Sequence, residues 1–434
     1  MGGTATREVP QSPALPLYHA HAPPFNDRLV LTGVPFITSI LESTCRQHGT
    51  VPPAQLRQLN IKNCQWLEVL PEEMPELVYL TITHCRALRG LTVAPKLERL
   101  QIHNCAALHT LDASALAQSL TFLELDRCVF TVLPDALCAL IKLQTLQIIG
   151  CDQLTCLPPF LGNLCKLQSL RVRSCPLMTA LPESMGDLVL LDLLESSVSH
   201  MNLLQLPRIQ IVILSHPTCS DLYQGLMSTH MIHLKLTNCD ALTALPDALA
   251  SLAALRELHI DQAPVLTFVP GNLSGMVGLE KLFVKGCPRL TRILGLGDLR
   301  AVRHIFIHHC GITALPDSLN DLSALRDLSL VGCDALTCLP VSIGHIDSLR
   351  SLNLDGTRCH RLPASLGYRE TLTLYNRQNI TFPPPNVRDM LQFLRRNDKP
   401  CCILLLAMAA RRYNDQSLPS ELWAVWLEDF YLLY

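Results

Sequence analysis

No uncharged apolar run in this sequence exceeds ten residues: the longest, Cys401 to Ala410, is about half of the roughly 20 that a membrane-crossing helix needs. The opening stretch, MGGTATREVPQSPALPLYHAHAPP, has no apolar core of signal-peptide length. Neither a membrane span nor secretion is therefore expected. An excess of one charge is also lacking, since 35 Lys and Arg face 37 Asp and Glu for a formal net charge of −2. That balance argues against a basic nucleic-acid surface. Aromatics are only 5% of the chain, little for an aromatic-lined cofactor pocket. There is no CxxC pair, no HExxH, no Ser/His/Asp set and no Gly-rich phosphate loop. No metal, cofactor or catalytic centre is expected from motifs, and sixteen histidines alone do not supply one.

What the chain does have is leucine and cysteine in register. Ten of its 19 cysteines (Cys64, Cys85, Cys105, Cys128, Cys151, Cys175, Cys239, Cys287, Cys310 and Cys333) fall at one phase of a leucine pattern that returns every 20 to 24 residues. The unit reads LxxLxLxxCxxLxxLPxxLxxL. One copy runs Leu143, Leu146, Ile148, Cys151, Leu154, Leu157, Pro158, Leu161, Leu164, and further copies open at Leu56, Leu77, Leu97, Leu120, Leu167, Leu191, Met231, Leu255, Leu279, Val302, Leu325 and Leu349. LxxLxL ends in strict alternation, which suits a short strand with Leu inward and polar residues outward. The LxxLPxxLxxL half returns along an irregular or partly helical path, because Pro disfavours an α conformation at the residue before it. A single copy buries too little apolar surface to offset the entropy of ordering it, so copies must stack.

The repeat resembles that of leucine-rich repeat proteins over about three quarters of the chain. The resemblance implies an α/β leucine-rich repeat solenoid: a curved horseshoe with a parallel sheet on its concave face, here followed by a helical C-terminal segment. The cysteine phase is where the chain leaves the strand and turns, a buried place for a small group with a weak S–H donor. Spaced one repeat apart, these thiols read as free and structural, which favours the cytosol or nucleus. The sequons at Asn272 and Asn379 are then accidents of composition.

Four segments follow. Residues 1–28, rich in Pro, Ala and His, form an arm without fixed structure, in which His19 and His21 are bystanders. Residues 29–55, with Phe36, Ile37, Ile40 and Leu41 at helical spacing, form an amphipathic cap. Residues 56–382 are the solenoid. Its pattern breaks between Leu191 and Met231, where Ile209, Val212 and Leu214 suggest a shortened coil and Pro217 stands at the turn. Residues 383–434 turn helical, with Val387, Met390, Leu391 and Leu394 on one face and Asn386 as cap.

The outward strand positions supply the partner-binding candidates: Tyr79, Arg99, His103, Arg171, Arg173, His259, Phe283, Lys285, His304, Phe306 and His308. Arg171 and Arg173 point the same way on one strand and are expected to grip a carboxylate or acidic loop of a protein partner. Phe283 and Phe306, with His304 and His308, form a second cluster of the kind that dominates protein interfaces. Gly286 and Gly332 sit at strand-to-turn positions and have a conformational reading.

Three further resemblances bear on function. The turn cysteine with LPxxLxxL is similar to repeats of plant disease-resistance receptors; without their nucleotide-binding loop, only ligand recognition carries over. The end, SLPSELWAVWLEDFYLLY, resembles the opening of an F-box and the F-box-like PRANC ends of some viral ankyrin-repeat proteins. That likeness implies docking on the adaptor of a cullin-type ubiquitin ligase through Leu418, Pro419, Leu422, Trp426 and Leu427, whereas a Pro-started helix sealing the last coil is the alternative. Cys219, Ser220 and Asp221 spell a CxD that resembles the active site of bacterial leucine-rich repeat ubiquitin ligases, but the helical domain that carries it there is not seen here. The expectation is a non-catalytic protein-recognition scaffold, with a ligase substrate receptor as the alternative.

Overall fold

The computed structural model describes residues 28–33, 55–70, 74–91, 94–109, 119–182, 185, 187–196, 206–217, 230–359, 362–363, 365–366 and 372–375. Within them the LxxLxL half of each repeat is a strand. The first eight are β1 (Arg28–Thr32), β2 (Gln58–Lys62), β3 (Tyr79–Thr83), β4 (Arg99–His103), β5 (Phe122–Asp126), β6 (Thr145–Ile149), β7 (Ser169–Arg173) and β8 (Leu190–Leu193). The others are β9 (Ile211–Ser215), β10 (His233–Thr237), β11 (Glu257–Asp261), β12 (Lys281–Lys285), β13 (His304–His308), β14 (Asp327–Ser329), β15 (Ser351–Asn353) and β16 (Thr373–Tyr375). All belong to one 16-stranded sheet in chain order, and neighbours pair in parallel. Parallel neighbours require the chain to travel back between strands, so the topology is a solenoid.

Alternation sets the two faces. In β5, β6 and β7 the second and fourth residues are buried and the others half-exposed. The register places Leu146 beside Leu170 and Ile148 beside Val172, so like positions stack from coil to coil. One continuous aliphatic core runs between sheet and return, from Leu31 to Leu374.

Proline shapes the return. Pro134, Pro246, Pro316 and Pro340 each stand in extended conformation just before a 3-10 turn, at Asp135–Ala139, Asp247–Ser251, Asp317–Asp321 and Val341–His345. The Leu137 amide closes its turn on the Pro134 carbonyl at 3.0 Å. The partly helical return expected from the sequence takes this tighter form.

Ahead of each turn cysteine stands a residue with positive φ: Asn63, His84, Asn104, Arg127, Gly150, Ser174, Asn238, Gly286, His309 and Gly332 among them. This left-handed step continues the ladder, as in Asn104 N–H to the Asp126 carbonyl at 2.7 Å, and swings the next side chain into the core. The thiols there are buried and free. Cys128, Cys151, Cys310 and Cys333 donate to carbonyls of the previous coil, as Cys310 does to Val284 at 3.6 Å and Cys333 to Ile307 at 3.3 Å.

Two features differ from the sequence expectation. First, the sheet begins at β1, paired along its length with β2, so residues 29–32 of the expected cap are strand. Leu29 and Leu31 alternate like any other coil, and Gly33 makes the left-handed step at φ 69°. Second, Leu191 is not the opening position of its copy but the partner of Leu170. The return before it is three residues shorter than the sequence pattern implies, and Leu188 is the opening residue, fully buried. The irregular segment does form the coil that its Ile209, Val212 and Leu214 suggest: β9 carries the sheet through it, with these three in the core and Pro217 buried at the turn.

The helical segment expected over 383–434, the cap residues Phe36, Ile37, Ile40 and Leu41, and Cys219, Ser220 and Asp221 lie outside the described residues. Among the described residues no helix is long and apolar enough to cross a membrane.

Candidate functional site

The first, third and fifth residues of each strand face away from the core, and this is the face that the repeat reading makes concave. Like positions stack in register, so residues one repeat apart become neighbours. On β3 to β5 this gives a polar ladder. Thr81 donates to Gln101 at 3.2 Å and Gln101 to Glu124 at 2.7 Å. His103 Nδ1 meets Asp126 Oδ2 at 3.2 Å, and the Arg99 guanidinium lies 4.0 Å above the Phe122 ring. Tyr79 stands beside Arg99, exposed at the same level.

On β7 the two arginines have different fates. Arg173 clamps the carboxylate of Asp192 on β8, with its Nε donating at 2.7 Å and its terminal nitrogen also on Oδ2. Asp192 is 1% exposed, so this ion pair offsets the removal of its carboxylate from water. The expectation that Arg171 and Arg173 act together on an outside carboxylate is therefore corrected: Arg173 already holds one. Arg171 Nε is buried without a hydrogen-bond partner.

The densest cluster lies on β10 to β14. The rings of His259, Phe283 and Phe306, all third positions, form a stacked row with centroids 4.2 and 4.7 Å apart and planes 21° and 11° apart. His233 extends it at 4.9 Å from His259, and His308 meets Phe306 edge-on at 6.0 Å. Carboxylates and hydroxyls flank the row. His304 Nδ1 contacts Asp327 Oδ2 at 2.6 Å, and His308 Nε2 contacts Ser329 Oγ at 2.8 Å. Lys285 stands opposite Asp261.

At one end of the row, Glu257 gathers three basic groups. Lys281 Nζ lies 2.7 Å from Oε1, while His233 Nδ1 and His259 Nε2 lie 3.1 and 3.6 Å from Oε2. The Lys281 hydrogen bond holds the Glu257 carboxyl below the usual range, and the same bond holds Lys281 protonated. Burial lowers the pKa of His259 and of His308, favouring the neutral rings.

The structure thus gathers His259, Phe283, Lys285, His304, Phe306 and His308 on adjacent strands. It leaves Tyr79, Arg99 and His103 in a second patch, with Arg171 and Arg173 on β7 between them. Glu257, Lys281 and Asp327 were missed, although as first strand positions they obey the alternation that found the others. Beside the cluster, at the entrance edge of the strands, lies a depression of about 550 Å³ lined by His230, Arg256, Glu280 and Arg303. The docking candidates Leu418, Pro419, Leu422, Trp426 and Leu427 lie outside the described residues.

No protein-family model matches the chain, and a comparison with curated proteins finds no match. Solved structures do match. A leucine-rich repeat protein of Leptospira interrogans superimposes with a TM-score of 0.50 at 18% identity, over 83% of this chain and 91% of that one. The Toll–Spatzle complex of Drosophila gives a TM-score of 0.51 at 15% identity, over 82% of this chain and 58% of that one. At such identities the shared property is the fold alone, and that fold is the leucine-rich repeat solenoid.

Proposed function

We propose that this protein is a non-catalytic recognition scaffold that binds a protein partner on the polar face of its sheet, centred on β10 to β14. The observation that carries this reading is the stacked row of His259, Phe283 and Phe306 on a surface without covering structure among the described residues. Flat rings held by their neighbours lose little entropy on binding, and histidines and lysines around them give polar specificity. Toll, whose solved complex with Spatzle shares the fold, supports a protein partner as the ligand class. The buried free thiols support an intracellular setting, where they stay reduced.

The test is site-specific photo-crosslinking from position 283 on the row, against position 141 on the return, where Ile141 is exposed. The expected result is a defined protein crosslinked from 283 and not from 141, with binding lost in the Phe283→Ala/Phe306→Ala variant. Equal capture from both positions, or unchanged binding by the double variant, overturns the proposal.

A second reading rests on the motif Leu418, Pro419, Glu421, Leu422 with Trp426 and Leu427: docking on a ubiquitin-ligase adaptor, with the repeats choosing the substrate. Recovery of a cullin complex by the full chain and not by one lacking residues 414–434 would support it. Identical partners for both chains would leave the tail as a cap.

A further inference from the structure

We infer that His233, Glu257 and His259 form a binding site for a divalent transition-metal ion, with zinc as the best fit. The inference is independent of the scaffold reading. The ligand atoms, one from each residue, all lie within 4.8 Å of one another. Two separations are already near those of a filled site: His233 Nδ1 to Glu257 Oε2 is 3.1 Å and His259 Nε2 to the same oxygen is 3.6 Å. Ligands about 2.1 Å from a tetrahedral zinc stand about 3.4 Å apart, so a small closure suffices.

Three details favour an ion over a mere polar cluster. His259 Nε2 is shut off from solvent and makes no hydrogen bond, although it is aimed at a carboxylate oxygen. A buried ring nitrogen without a partner is costly, and a metal would satisfy it. The Glu257 carboxylate is also divided in function: Lys281 holds Oε1, while both histidines face Oε2. Metal-binding carboxylates are commonly fixed by such an outer hydrogen bond. The backbone is rigid, because the ligands come from the adjacent paired strands β10 and β11 and His259 is wedged between His233 and Phe283.

Lys235, beside His259 in the register, and Lys281 oppose a cation; Glu257 offsets one of them. Two nitrogens and one oxygen suit zinc, and hard ions such as magnesium or calcium prefer oxygen alone. On binding, the ion takes the place of the direct contact between His233 Nδ1 and Glu257 Oε2. Three protein ligands leave a fourth position open to water or to a donor from a partner.

The test is titration of the full, reduced chain with cobalt(II), read by visible absorption and followed by displacement with zinc. The expected result is a tetrahedral d–d spectrum without a thiolate charge-transfer band, reversed by zinc. It should be lost in His233→Ala/His259→Ala and weakened about tenfold or more in Glu257→Gln. A spectrum unchanged in the double variant, one dominated by thiolate bands, or no tetrahedral spectrum at all overturns the site. Far-UV circular dichroism checks folding, and single His→Gln variants, read by the same criteria, replace any that fails to fold. Because no partner is present in this experiment, its failure leaves the scaffold proposal standing, and failure of the crosslinking test leaves this one standing.

Discussion

The hydroxyl of Ser196 donates to the carbonyl of Val172 at 2.7 Å, both groups buried, at the place in its coil where other coils put a cysteine. Cys151 to Leu125, two coils earlier, and Cys333 to Ile307, six coils later, are the same bond at 3.8 and 3.3 Å. What the turn requires is a small donor, and sulfur is one way of providing it. Ser196→Ala should therefore lower stability by about 1–2 kcal/mol, the usual cost of leaving a buried polar group without its partner. Ser196→Cys should cost less. Urea denaturation of both variants checks the order, and equal loss would show that volume, not hydrogen bonding, matters at this position.

Arg171 and Arg173 separate in the same kind of measurement. Removing Arg173 strands the carboxylate of Asp192, and stranded buried charges cost about 3 kcal/mol or more. Arg171 makes no ion pair among those found for the described residues, so Arg171→Met should change the denaturation midpoint little. Arg173→Met should lower it clearly, and adding Asp192→Asn should restore part of the loss. Equal effects of the two single changes would remove the distinction.

Most of the fold was legible because the pattern and the structure share one period. Each turn cysteine stands five residues after the first inward strand residue, as Cys151 does after Leu146, so a single phase located every coil that has one. Coils without a cysteine were harder. Arg28–Thr32 has the alternation but no conserved-phase thiol or entry leucine, and the three-residue deletion before Leu188 shifted one copy out of register. For the site, outward positions could be read singly but their partners could not. His233, Glu257 and His259 come together only when the strands are set side by side, which makes residues 24 apart adjacent. That Arg173 faces a partner was likewise hidden by the misplaced register of the following coil.

Alkali should destabilise the protein through its buried thiols. Burial pushes Cys333 up to about 11 and Cys175 and Cys239 up to about 12, from an ordinary value of 9.0. The unfolded chain loses these protons first, so stability is full below pH 9.0 and is lost as pH rises through the folded values. Denaturation midpoints at about pH 8 and about pH 10.5 should differ, and Cys333→Ser should narrow the gap. An unchanged gap would mean that other groups, the lysines and tyrosines, carry the alkaline response.

Acid acts through His308 in the opposite sense. Burial, then the neighbouring His309 and Lys285, hold its pKa below the ordinary 6.5, so the unfolded chain takes up the proton first. Stability is present above pH 6.5 and falls as pH drops through the folded value. Protonation also alters the ring that meets Phe306 edge-on and Ser329 through Nε2. His308→Gln should flatten the stability profile below pH 6.5 relative to the parent. A parallel profile would show that His308 is not among the groups responsible.

Gly332 and Gly90 provide the sharpest contrast among single backbone changes. Gly332 makes the left-handed step before Cys333 at φ 69°, and a Cβ there would stand on the ring of His309 in the preceding coil. An alanine must pay for the left-handed conformation, about 1–2 kcal/mol, and also displace that ring. Gly90 has an ordinary φ, and a Cβ there meets nothing within 4 Å. Gly90→Ala should then be neutral or stabilise by up to about 1 kcal/mol, by restricting the unfolded chain. The other turns show that the conformation alone is tolerated, since Asn104, Arg127 and Ser174 adopt it with side chains. The larger part of the Gly332→Ala effect should therefore come from the contact with His309. His309→Ala combined with Gly332→Ala isolates that part: the double variant should be more stable than Gly332→Ala alone. If it is not, the cost lies in the backbone and the ring is a bystander.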